Sequence, residues 1–158
     1  MLSRALIILG LIATSAFAAP LYPDASRAAA DIDAALAAAA AQHKRVLVDF
    51  GGDWCTDCKV LDANLRRPEN AALLDRFVVV HVNVGDAGID RNFDVAKRYG
   101  IPLAKGVPAL AVLDSDGSVV YSQKKGEFEA MRHLDPAEVH AFLERWATGL
   151  APRPGKPG

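Results

Sequence analysis

Val46-Leu47-Val48-Asp49-Phe50-Gly51-Gly52-Asp53-Trp54-Cys55-Thr56-Asp57-Cys58-Lys59 reads as a strand, a turn and the first turn of a helix. Residues 46–50 are large and apolar except for Asp49, the pattern of a strand covered on both faces. Gly51 and Gly52 let the chain leave the sheet sharply. Two thiols then fall one helical turn apart. Cys55 at a helix start meets unpaired backbone N–H groups and the positive dipole end, which favour a thiolate. Cys58, three residues on, shares that face and can close a disulfide with it.

With Gly106-Val107-Pro108 about fifty residues later, this stretch resembles the thioredoxin-fold thiol:disulfide oxidoreductases. The resemblance covers residues 36–146. It rests on three features in order: an acid six residues before the first Cys, a Trp directly before it, and Val-Pro ahead of a later strand. It is most similar to secreted bacterial members such as the soluble thioredoxin-like domains of periplasmic reductants.

The bulk properties bound the rest. Arg4, the apolar run 5–13 and Ala16-Phe17-Ala18 fit a signal peptide over residues 1–18 with an A-x-A cleavage site. The competing reading is a membrane anchor. The run is short for a span, which needs about 20 residues, and Gly10, Thr14 and Ser15 dilute it. No stable membrane insertion is therefore expected after cleavage. Removing 18 of 158 residues leaves 140, enough for one domain, 19–150, with its own core. Its two cysteines are then redox chemistry, not scaffolding. A net charge of −1 gives no footprint for nucleic acid or anionic lipid.

Outward from the motif, Asp24 or Ser26 can cap a helix through residue 41, with Ile32 and Leu36 on its apolar face. The Ala-rich surface suits packing at the sheet edge. His43-Lys44-Arg45 reads as its basic end. The Cys helix spans 56–66, Asn70 caps a short helix to 76, and 77–84 is a second buried strand, parallel to the first through the helical crossover. A helix over 90–99, closed by Gly100, follows a loop at 85–88. Ala109 opens a third strand, Asp114-Ser115-Asp116-Gly117 turns it, and 118–121 returns antiparallel. Asp135, Pro136 and Glu138 start the last helix, with Val139, Phe142, Leu143 and Trp146 inward and Gly149 at its end. Residues 151–158 form a Pro/Gly-rich disordered tail. The sum is an α/β chain with the thioredoxin fold: two parallel strands plus an antiparallel hairpin, with helices on both faces and the Cys loop at the carboxyl edge of a central strand.

Thiol exchange needs one accessible thiolate and a second thiol to resolve the mixed disulfide, roles assigned to Cys55 and Cys58. Asp57 between them competes for the helix end, raises the Cys55 pKa and biases the protein toward reduction, or it is only a good first-turn residue. The resemblance implies that Asp49 is the buried acid relaying the resolving thiol's proton. The alternative is an Asp on a solvated strand face. His81 stands where family members often carry Lys, and either tunes that acid or simply faces solvent. The resemblance also implies a cis Val107–Pro108 bond beside the sulfurs, pairing with extended substrate, the alternative being a trans edge proline. Trp54 shields the sulfurs or fills core, and Gly126 lines the same groove.

Zinc would need about four ligands. Only two cysteines are available, and His43, His81, His133 and His140 lack paired spacing, so no metal and no built-in cofactor is expected. The expected function is a periplasmic reductase of protein disulfides, recharged by an upstream membrane thiol reductase. An oxidase or isomerase of the same fold, and a thiol-based copper carrier, are the alternatives.

Overall fold

The computed structural model of the chain describes residues 19–147. The leader 1–18, Gly149 and the tail 151–158 read from the sequence lie outside the described residues. The first strand, β1 (Arg45–Gly51), is buried along its whole length. It takes the centre of a four-stranded sheet, between β2 (Phe77–Asn83) running parallel and β3 (Ala109–Leu113) running antiparallel, with β4 (Val119–Ser122) antiparallel at the edge beyond β3. A strand buried on both faces needs helices on both.

Alternation along β1 divides its side chains between two cores. Val46, Val48 and Phe50 pack with Ala28, Ile32, Ala35 and Ala39 of helix α1 (Ala28–Gln42). Leu47 faces the other way, toward Leu61 and Leu65 of α2 (Thr56–Leu65) and Val139, Phe142 and Leu143 of the final helix, α5 (Pro136–Ala147). Between these lie the one-turn α3 (Ala71–Leu74), and α4 (Phe93–Arg98), which contributes Val95 and Ala96 to the α1 side.

Several elements differ from the sequence reading. The first helix, expected at the sheet edge, covers the edge strand β2 and also reaches in to β1, because small side chains at 28, 35 and 39 allow close approach. Asp24 does cap, accepting the Ser26 N–H at 2.8 Å, but over a 3-10 turn, Ala25–Arg27, that precedes α1. Arg45 is the first residue of β1 and not a helix end: buried, it donates to Asp114 at 2.8 Å and to the Trp146 carbonyl at 2.8 Å. The helix expected over 90–99 begins only at Phe93. The N–H groups of Asp90 and Arg91 both return to the Val84 carbonyl, and Asn92 sits at φ 56° with its side-chain amide donating to Ala25 and Asn83 carbonyls. With residues 90 and 91 tied back to the strand end and Asn92 in the left-handed region, which a right-handed helix does not admit, the helix can start only after them.

Candidate active site

Gly51 ends β1, and the chain turns so that the Cys55 N–H donates to the Gly52 carbonyl at 2.9 Å. Cys55 is therefore the N-cap of α2, in extended conformation. Its sulfur accepts the Cys58 N–H at 3.1 Å, an otherwise unpaired donor of the first turn. Cys55 and Cys58 are joined by a disulfide, with Cα atoms 5.3 Å apart. Cys55 keeps 6% of its surface exposed and Cys58 none, so only the first sulfur can be approached from outside. That exposure is less than a loop tip suggests. The difference comes from Val107, whose carbonyl oxygen lies 3.7 Å from Cys55 Sγ.

The Val107–Pro108 peptide bond is cis. The segment is held from behind by Gln123, whose side chain donates to the Pro108 carbonyl and accepts the Leu110 N–H, both at 3.2 Å. Gly126, at φ 75°, packs under the preceding loop, where a Cβ would meet the Lys105 carbonyl at 2.8 Å. Trp54 is 39% exposed and does not fill core. Its indole N–H donates to the Gly85 carbonyl at 2.7 Å, fixing the ring beside the disulfide's end of the loop.

Beneath the sulfurs lies a polar cluster. Asp49 is fully buried, and its Oδ2 accepts the Tyr22 hydroxyl at 2.6 Å and lies 3.0 Å from His81 Nδ1. Asp49 and His81 face one another directly across the β1–β2 register, so the strand pairing brings them together. His81 therefore does not simply face solvent. Its Nε2 lies 3.8 Å from Asp62 on α2, which forms an i,i+4 pair with Arg66. Burial first, then the Asp49 charge, push the Tyr22 phenol far above its ordinary range, so it remains a donor.

Asp57 is not left alone beside the thiols. Its carboxylate accepts the Arg132 backbone N–H at 2.8 Å and the Arg132 Nε at 3.1 Å. Partial burial raises its pKa, but the Arg132 hydrogen bonds and charge outweigh that and hold the carboxyl below its usual range. The negative charge expected to oppose a Cys55 thiolate thus has its own counter-charge.

Tyr22, Asp62, Gln123 and Arg132 were not singled out from the sequence. Asp62 carried a signal, since four residues after Cys58 lies the same helix face. Tyr22 had only its oddity, an aromatic residue between Leu21 and Pro23 in a segment without periodicity. Gln123 and Arg132 had none, because their partners are set by the tertiary fold. Among the described residues no group of three or more His, Cys, Asp or Glu side chains could hold a metal ion, and no helix is long and apolar enough to cross a membrane.

A family model described as thioredoxin-like matches residues 27–115. The thiol:disulfide interchange protein DsbD of Pseudomonas fluorescens is 30% identical over 119 residues, which are 74% of this chain but 18% of that protein's length. Among solved structures, a disulphide isomerase from Xylella fastidiosa Temecula1 is similar at 38% identity and a TM-score of 0.73, covering 80% of this chain and 96% of that one. The C-terminal domain of Neisseria meningitidis DsbD in its reduced form is similar at 28% identity and a TM-score of 0.54, covering 75% of this chain and 96% of that one.

Proposed function

The chain belongs to the thioredoxin-like family of disulfide oxidoreductases, and from that premise we propose that it is a periplasmic reductase of protein disulfides. The carrying observation is the asymmetry of its dithiol: a helix-capping Cys55 with a small exposed edge and a fully buried Cys58 behind it. Cys55 thiolate attacks a substrate disulfide, forming a mixed disulfide and releasing one substrate thiolate. Cys58 gives its proton to Asp49 and attacks Cys55 Sγ, closing the internal disulfide and releasing the second substrate thiolate. The substrate leaves reduced by two electrons and the protein oxidised by two.

Val107 supports the substrate-binding role, its carbonyl lying beside the attacking sulfur, where an extended chain can pair strand to strand. Trp54 offers an exposed apolar wall on the other side of the loop. The leader pattern of residues 1–18 supports export, and an oxidising compartment then requires an upstream donor, for which a membrane thiol reductase is the proposed class. Likeness to a thiol:disulfide interchange protein supports dithiol exchange, while likeness to a protein described as a disulphide isomerase favours isomerisation as the second reading.

One measurement shows that the dithiol exchanges with protein partners, and a second decides the direction. The Cys58→Ser protein, exposed to a periplasmic extract, retains partners as mixed disulfides on Cys55 that dithiothreitol releases. The parent protein equilibrates with a potential more negative than the glutathione pool, below about −260 mV. A potential at or above that level, with scrambled test substrates reshuffled and not reduced, assigns isomerisation instead.

A further inference from the structure

Tyr22 belongs to no regular element, yet only 2% of it is exposed and its hydroxyl ends beneath the disulfide. Burying a phenol is unfavourable unless the oxygen finds a partner. Here it donates to Asp49 Oδ2, 27 residues on, while the ring packs edge-on against His81 with centroids 5.2 Å apart. The neighbouring Leu21 N–H donates to Asp53 Oδ1 at 3.1 Å, which pins the segment to the Cys loop. A Cβ on Gly51 would sit 2.8 Å from Cys58 Sγ and closer still to the Tyr22 hydroxyl, so phenol and buried sulfur border the same small space.

We propose that Tyr22 is a positioning residue for the resolving step: with His81 it occupies Asp49 Oδ2 and leaves Oδ1 as the atom that takes the proton from Cys58. This rests on the roles proposed above for Asp49 and Cys58. Three buried side-chain polar atoms lack a hydrogen-bond partner among the described residues, Asp49 Oδ1, His81 Nε2 and Ser122 Oγ, and two of the three lie in this cluster. Orphaned acceptors are costly, so an uncommitted carboxylate oxygen this deep implies use. In the step, the Cys58 S–H bond breaks and an Oδ1–H bond forms. The sulfur's electron pair then makes the Cys55–Cys58 bond and expels the substrate sulfur as thiolate, with no further reactant.

The groups facing Tyr22 and Asp49 are His81 from β2, Asp62 with its partner Arg66 from α2, and Asp53 from the Cys loop. A donor to the charged carboxylate favours that form, so removing it makes the carboxylate easier to protonate. The test is a pH-jump experiment. A mixed disulfide of thionitrobenzoate on Cys55 is formed in acid, and release of the yellow thiolate on raising the pH times the attack by Cys58.

In the Tyr22→Phe protein the midpoint of the pH–rate curve moves up by about one unit, as expected for one lost hydrogen bond to a charge. A midpoint that stays with the parent's overturns the proposal, since a merely structural Tyr would lower stability without moving it. Should Tyr22→Phe not unfold cooperatively, difluorotyrosine at position 22 decides. Its more acidic phenol donates more strongly and moves the midpoint down, and no movement overturns the proposal. Asp49→Asn separates the two levels. If its release still rises with pH as in the parent, the base assignment falls and Tyr22's role with it. If Asp49→Asn is flat but Tyr22→Phe is unmoved, only the role of Tyr22 falls.

Discussion

Asp49 shows how much one position inside a strand can carry. A carboxylate with no exposed surface would unfold a strand of this kind unless neighbours met its hydrogen-bonding demand, and Tyr22 and His81 do so at one oxygen only. Asp49→Asn preserves shape but cannot take a proton, so the resolving step slows by about a hundredfold, the lower end of general-base effects, measured by rapid-quench trapping of the mixed disulfide. Gly51, two residues on, is fixed by space and not by backbone angle. Gly51→Ala forces a methyl against Cys58 Sγ and the Tyr22 ring, and overpacking of this kind lowers stability by about 1–3 kcal/mol in urea unfolding, with slower exchange in the folded fraction.

The elements of the site are joined by a few polar ties that cross long stretches of sequence. Arg132, in the 3-10 turn Met131–His133, grips Asp57 in the first turn of α2 and so both docks that turn and offsets the charge beside Cys55. Arg132→Ala exposes the sulfur to the full Asp57 charge, disfavours its thiolate, and makes the potential more negative by up to about 20 mV, since an exposed pair is worth at most about 1 kcal/mol. Redox equilibration against glutathione reads this directly. The same pair has a pH signature. Asp57 in the folded protein titrates below its ordinary value, so the stabilisation is present above pH about 4 and is lost as pH falls through the folded-state pKa. Parent and Arg132→Ala therefore converge in thermal stability in acid and separate toward neutrality.

At the scale of the molecule, the sheet is a wall between two apolar cores, and the site sits where the wall's central strand ends. Leu110, fully buried on the α5 side of β3, lies two residues beyond Pro108. Leu110→Ala lowers stability by about 2–5 kcal/mol through lost burial and a cavity, measured by chemical denaturation. The charge is nearly balanced, so what recognises a substrate is geometry at the Cys55 edge and not a long-range field. Export is tested on the same scale: protein recovered from the periplasm begins at Ala19 by N-terminal sequencing if the leader is cleaved as its A-x-A pattern implies.

The strand-turn-helix around Cys55, the parallel and antiparallel strands, and the strong start of α5 were legible because each is written in neighbouring residues: alternation, paired glycines, a cap followed by proline. Local pattern also placed both sulfurs on one helix end. It could not tell Asp90 and Arg91 from a helix start, because the Val84 carbonyl that claims them belongs to a strand end whose position depends on the sheet. Nor could it show that Arg45 is buried, that Arg132 reaches Asp57, or that Tyr22 lies under the disulfide. These contacts span 101, 75 and 27 residues, and hydrogen bonds at such separations are selected by which surfaces the packed cores bring together, a property no short window of sequence contains.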